Sequence, residues 1–185
     1  MTISKSQRVS KAKWLDTALE VLEAEGVEGV RVEKLARQLG IAKSGFYWHF
    51  KDRQDLLKQM LDYWAHEYSA VVTENPELNQ GNPKQRLEQT MRMIQDYGLT
   101  RLELVIRAWA QSDPMAAKVL NKVYKMRYDY LREIFKDMGF RGDELEMRTQ
   151  LFACYHTWEY CMYGKQPKSK KDKLLKLRHA LLTRK

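Results

Sequence analysis

Helix breakers are scarce in this chain, with four prolines and nine glycines among 185 residues. So few interruptions make long helices the default, and no segment alternates apolar and polar residues as a half-buried strand does. No stretch approaches the roughly 18 uninterrupted apolar residues of a membrane span. The segment Met1–Lys13 is polar and basic and lacks the apolar run of a secretory signal, so a cytoplasmic location is expected. Cysteine is nearly missing too. Cys154 and Cys161 are seven residues apart, about 10 Å along a helix and beyond disulfide reach, which reads as reduced packing residues. The four histidines, His49, His66, His156 and His179, are scattered. No nucleophile–base pair, glycine-rich phosphate loop or two-carboxylate site is legible, and Cys154, His156 and Cys161 do not share a helix face well enough for a metal. Neither catalysis nor a resident metal or cofactor is expected.

What is present suits a globular protein: 44% apolar and 31% charged residues, enough to bury a core. The net charge of +9 is unevenly spread, with +3 over residues 1–58, −2 over 59–164 and +8 over 165–185. Most of the excess therefore sits in a lysine-rich tail, and the sum alone does not establish a polyanionic partner. Helix punctuation divides the rest. A first helix is expected over about 10–25, with Trp14, Leu15, Ala18, Leu19 and Leu22 on one face. Val32–Leu39 forms a second, closed by Gly40, and Lys43–His49 a short third. A long fourth helix is expected over 52–73. Asn82-Pro83 and Asp113-Pro114 each place a cap before a first-turn proline, opening helices at about 83–97 and 114–138, with a shorter one near 100–111. Residues 143–163 form an aromatic-rich helix. The turn 165–171 then leads into a last one, striped with Leu174, Leu175, Leu177, Leu181 and Leu182. The fold class is all-α.

The informative stretch is Val32–Phe50. Two short helices meet at Gly40, Leu35, Leu39, Ile41, Phe46 and Phe50 point inward, and Ala36 is small where the helices cross. That is the grammar of a helix-turn-helix, whose second helix enters the DNA major groove. Its exposed residues are Lys43, Ser44, Gly45, Tyr47, Trp48 and His49. They offer hydrogen bonds, apolar contact with thymine methyls and a bare backbone for close approach.

The run from Gly40 through Phe46-Tyr47-Trp48-His49-Phe50-Lys51 to Leu57, with Gly29–Ala36 upstream, closely resembles the signature of tetracycline-repressor (TetR) family regulators. The likeness covers roughly residues 10–60. It implies an N-terminal three-helix DNA-binding domain, residues 1–58, and a C-terminal helical ligand-binding and dimerisation domain, residues 59–185. It also implies phosphate contacts at Tyr47 and Lys51, base or backbone contacts at Lys43, Ser44, Gly45, Trp48 and His49, and a phosphate near Arg53. For Trp48 and His49, simple packing is an equal alternative. Three positions depart from the pattern. Arg31 and Ala42 stand where the family usually caps its second and third helices with Thr or Ser, at about 1 kcal/mol each, and Gly45 leaves a base-reading position empty. Arg31 then becomes a candidate phosphate contact beside a helix N-terminus.

No motif marks the C-terminal half, but methionine and aromatic residues crowd its interior candidates in the manner of an adaptable apolar pocket. Candidate ligand contacts are Tyr97, Arg107, Trp109, Gln111, Met126, Tyr155, His156, Trp158 and Glu159, although His156 and Glu159, one turn apart, are also placed to pair with each other. Helices 143–163 and 172–183 are expected to pair with their symmetry mates in a homodimer, as a twofold operator demands. The expected function is a DNA-binding regulator, by family default a repressor, released from a palindromic operator by an unidentified small-molecule effector. The alternative is a helix-turn-helix protein controlled by a protein partner or by no ligand.

Overall fold

The computed structural model describes residues 9–184, apart from the side chains of Asn79 and Cys161. The packing role expected of Cys161 and the first eight residues of the N-terminal unit lie outside the described residues. Every regular element among them is helical, and no helix among them is long and apolar enough to cross a membrane.

Helix α1, Lys11–Glu25, starts at Ser10, whose side chain accepts from the Lys13 amide at 3.2 Å, and buries Trp14, Leu15, Ala18, Leu19 and Leu22. Helix α2, Val32–Gln38, ends in a Schellman turn. Gly40 adopts φ +65°, its amide bonds the Arg37 carbonyl, and the Ile41 amide bonds that of Ala36. The next segment, Lys43–Trp48, winds as 3-10 turns. Neither Arg31 nor Ala42 makes a side-chain cap. With no cap to favour an α-helical first turn, this short segment closes with i→i+3 bonds, from Gly45 to Ala42 and from His49 to Phe46.

Helix α3, Arg53–Ala65, is capped by Asp52. It continues through a π turn, His66–Ala70, into one further helical turn, α4, Val71–Thr73. The rod expected over 52–73 is therefore present but interrupted. Both Asn-Pro and Asp-Pro devices work as read. Asn82 and Gln85 form a reciprocal capping box at α5, Pro83–Tyr97, and Asp113 accepts from the amides of Met115 and Ala116 at α7, Pro114–Asp137. Between them lies α6, Glu103–Ala110, and after them α8, Gly142–Tyr163. The last helix, α9, spans Lys168–Thr183. The lysine-rich stretch expected as a turn and solvated loop is thus helical from Lys168. The fixed φ of Pro167 sets the N-cap, its carbonyl accepts from Lys170 and Lys171, and lysine is a good helix former.

Two large cores result. The first joins α1, α2, Phe46, Phe50 and α3 to Leu102, Ile106, Trp109, Leu120 and Val123 of the α6–α7 region. The boundary drawn after residue 58 falls inside this core, because α3 contributes Leu56 and Leu57 before it and Met60, Leu61 and Trp64 after it. The second core packs Leu87 and Met91 of α5 against Ile134 and Phe135 of α7, Phe152 of α8, and Leu175 and Leu182 of α9.

Arg53 holds the first core's outer corner. Its Nε donates to the Val30 carbonyl and its terminal nitrogen to that of Val27, both at 2.7 Å, pinning the link between α1 and α2. This geometry gives Arg53 the role of a structural clamp beside the phosphate contact implied for it. Charged hydrogen bonds are worth about 1.5–3 kcal/mol each before solvent screening. Arg53→Met should therefore destabilise the protein by about 2 kcal/mol and lower Tm by roughly 4–8 °C, whereas Lys51→Ala should leave Tm nearly unchanged. Thermal denaturation of both variants checks this. A Tm unaffected by Arg53→Met would leave Arg53 with the DNA contact alone.

Candidate functional site

The 3-10 winding decides what the segment 43–48 presents. With three residues per turn, side chains at i and i+3 eclipse. One row is Lys43, Phe46 and His49, a second is Ser44 and Tyr47, and a third is Gly45 and Trp48. The first row is anchored. Phe46 is fully buried, edge-on to Trp14 at 5.5 Å and tilted against Phe50 at 5.1 Å. His49 Nε2 donates to the Val9 carbonyl at 2.9 Å, since a carbonyl only accepts. Lys43 is ion-paired with Glu33 of α2, which holds the Glu33 carboxyl below its usual range and pushes the Lys43 ammonium up. Both partners are exposed, so the pair is weak and exchangeable.

The other two rows face out. Tyr47 is 59% and Trp48 72% exposed, and Ser44 is exposed as well. Gly45 also sits in a tight spot: a Cβ there would lie 3.3 Å from Ile41 Cδ1, which would have to give by a few tenths of an ångström. Its smallness is a packing fit beside the turn. Lys51 is exposed just beyond, and its backbone amide donates to Asp55 at the start of α3. Arg31 is exposed at the N-terminus of α2, with its Nε donating to the Glu28 carbonyl. Of the nine residues singled out for DNA, seven lie exposed or beside the exposed rows, while His49 and Arg53 are committed to protein carbonyls.

The second feature is a partly open cavity of about 220 Å³ lined by residues of the π turn, α5, α6, α7 and α8. Its walls are mostly apolar and aromatic, with a polar knot on one side. Glu103 has no exposed surface and pairs with Arg127 at 2.9 Å. Arg127 also donates to Ser69 Oγ and the Tyr68 carbonyl inside the π turn, and lies over the Trp64 ring at 5.7 Å. Arg107, one turn after Glu103, donates to Tyr124 Oη at 3.0 Å and sits over the rings of Tyr124 and Trp158. Burial, then the nearby Glu103 carboxylate, pushes the Tyr124 hydroxyl up to about 12, so it keeps its proton.

Also in the cavity lining, His156 is 4% exposed and stacks on Phe152 with ring centroids 4.0 Å apart. Its Nδ1 donates to the Phe152 carbonyl at 2.8 Å, leaving Nε2 as a buried acceptor without a partner. Burial, reinforced by the Arg178 charge, depresses this imidazole to about 3. It is neutral at physiological pH.

Among the candidate ligand residues, Arg107, His156 and Trp158 line the cavity. The other six lie elsewhere. Trp109 packs in the first core and donates to Asp113, Gln111 and Tyr97 are exposed at helix ends, and Met126 is half-buried off the lining. Tyr155 and Glu159 bond each other at 2.9 Å and face Arg178, and His156 bonds the Phe152 carbonyl, so the alternative of a His156–Glu159 pair is not what forms. Sequence reasoning missed Glu103, Arg127, Tyr68 and Ser69. The one available signal was the i, i+4 pair of charges, Glu103 and Arg107, in an otherwise apolar short helix.

A family profile described as "Bacterial regulatory proteins, tetR family" matches residues 15–60. The tetracycline repressor protein class D of Escherichia coli is 40% identical over 50 residues, which is 27% of this chain and 23% of the repressor. The chain thus matches about a quarter of the length of such curated relatives. Over the whole fold it is similar to a transcriptional regulator FadR from Bacillus subtilis, in complex with stearoyl-CoA, with TM-score 0.70 and 19% identity across 95% of this chain and 98% of that one. It is also similar to AibR in complex with isovaleryl coenzyme A and operator DNA, with TM-score 0.69 and 18% identity across 93% and 97%. At such identities these two show a shared fold.

The neutral His156 makes stability depend on pH. Below about pH 6.5 the unfolded chain takes up a proton that the folded site refuses until about pH 3. The unfolded state then binds more protons, and stability falls with falling pH by up to about 1.4 kcal/mol per unit. Urea unfolding at intervals from pH 6.5 to 5 should show a shallower slope in His156→Phe than in wild type. Parallel slopes would contradict the burial.

Proposed function

We propose that this chain, whose residues 15–60 match the tetR family of bacterial regulatory proteins, is a DNA-binding transcriptional regulator, a repressor released from a palindromic operator by a small-molecule effector. The observation that carries this reading is the exposure of Ser44, Tyr47 and Trp48 on a segment whose first row is bolted to a core. Tyr47 and Lys51 contact phosphate, with Arg31 beside the N-terminus of α2. Ser44 and Trp48 meet the groove, Gly45 allows close backbone approach, and Lys43 joins them by exchanging Glu33 for DNA. His49 and Arg53 position the segment.

Reading a twofold operator needs two such segments about 34–36 Å apart. Helix α8 leaves Met147, Leu151, Trp158 and Met162 exposed at intervals of four, seven and four, and α9 leaves Leu177 and Leu181 exposed. These apolar faces support a homodimer built on α8 and α9. The protein acts in the cytoplasm, where its operator is.

The cavity favours a small effector over control by a protein partner. Its wall includes Tyr68, Ser69, Val72 and Thr73 at the far end of the rod whose near end, Leu56 to Trp64, is core to the DNA-binding module. A ligand that shifts the π turn therefore moves α3, and a coupling of about 1–3 kcal/mol makes a useful switch.

Fluorescence anisotropy with labelled duplexes tests the reading. Lys51→Ala should weaken binding to selected and random duplexes alike and make the log K against log salt slope shallower by about 0.9. Trp48→Ala should instead erode the preference for the selected site. A protein that stays monomeric, or whose duplex affinity ignores salt, overturns the proposal.

A further inference from the structure

Resting on the effector reading of the cavity, we infer that its ligand is a small carboxylate: a compact apolar body whose acid group meets Arg107 and whose hydroxyl or other donor meets His156.

The charges around the cavity do not balance. The Glu103 carboxylate is matched by Arg127, each of whose three nitrogens donates once, to Glu103, Ser69 and the Tyr68 carbonyl. Arg107 pairs with no carboxylate among the described residues, and it sits against two aromatic faces with its Nε buried and lacking a partner. One positive charge at the cavity wall therefore lacks a counter-ion. An anion is the complement that offsets a half-buried guanidinium, and a carboxylate matches its forked donors. The aromatic rings around the cavity suggest a cage for a cation, but the two guanidinium groups repel one and the Glu103 carboxylate lies behind the wall, already paired.

His156 sets a second condition. Its Nε2 is a bare acceptor, so the ligand atom facing it carries a hydrogen. The volume sets a third. An apolar cavity of roughly 150 Å³ takes up benzene, and about 220 Å³ admits one ring with a short acid chain. That is below the roughly 300–1,000 Å³ of sites for drug-sized molecules.

The test uses the full-length protein without DNA, followed by thermal shift and tryptophan fluorescence. The probes are 3-phenylpropionate, its 3- and 4-hydroxyphenyl analogues, its methyl ester, and 2-phenylethylamine. The acids should bind at least about tenfold more tightly than the ester or the amine, as expected for a charged hydrogen bond. At least one hydroxylated acid should bind more tightly than 3-phenylpropionate. Arg107→Met, checked for folding by circular dichroism, should erase the preference for acid over ester, and His156→Phe should erase only the hydroxyl advantage. Ester and acid binding equally in wild type, the amine binding best, or no acid binding below about 10 mM would each overturn the inference. The DNA measurements are separate. Duplex binding without selective acid uptake sinks the carboxylate and spares the regulator, while selective uptake without duplex affinity upholds the carboxylate and sinks the regulator.

Discussion

Glu103 carries a charge that no solvent reaches, and the Arg127 guanidinium meets it at 2.9 Å. Removing either partner of such a pair leaves a bare buried charge, at a cost of about 3–5 kcal/mol. The geometry around the pair gives that cost a direction. Arg127 also bonds the Tyr68 carbonyl and the Ser69 hydroxyl and lies over Trp64, so α6, α7 and the π turn are held in one arrangement. The π turn is the only departure from α geometry along the rod from Arg53 to Thr73. Such turns often mark functional positions in helices. Here it brings the cavity wall and the first core onto one piece of backbone.

The recognition segment shows the same economy on a smaller scale. Losing the usual caps at Arg31 and Ala42 costs stability, yet the segment is not loose. Phe46 is locked among Trp14 and Phe50, His49 is tied to Val9, and Arg53 pins the link before α2. Tertiary contacts substitute for local ones, and the side chains left over, Ser44, Tyr47 and Trp48, are those the three-residue repeat turns outward.

Much of the fold was legible because its signals are local. The Asn82 and Asp113 caps, the Gly40 turn and the spacing of Trp14, Leu15, Ala18, Leu19 and Leu22 each depend on residues within a turn or two. The turn expected over 165–171 is helical from Lys168, because helix propensity and Pro167 outweigh the charge of its lysines. The candidate site divided the same way. The DNA-facing segment is contiguous, so its residues could be named from sequence, but whether His49 and Arg53 look outward depended on carbonyls 40 and 23 residues away.

The cavity was out of reach of sequence for a related reason. Methionine and aromatic content pointed to an apolar interior, but Trp109 and Trp158 are equivalent on that criterion, and only the latter lines the space. By itself the sequence determined the all-helical class, most helix limits and the place of the DNA-reading segment, because hydrogen-bonded turns and caps are set by near neighbours. Tertiary structure alone decided which guanidinium lacks a carboxylate, which buried acceptor lacks a partner and where the rod is interrupted. Those properties depend on which distant side chains exclude water from a site, and no spacing along the chain encodes that directly.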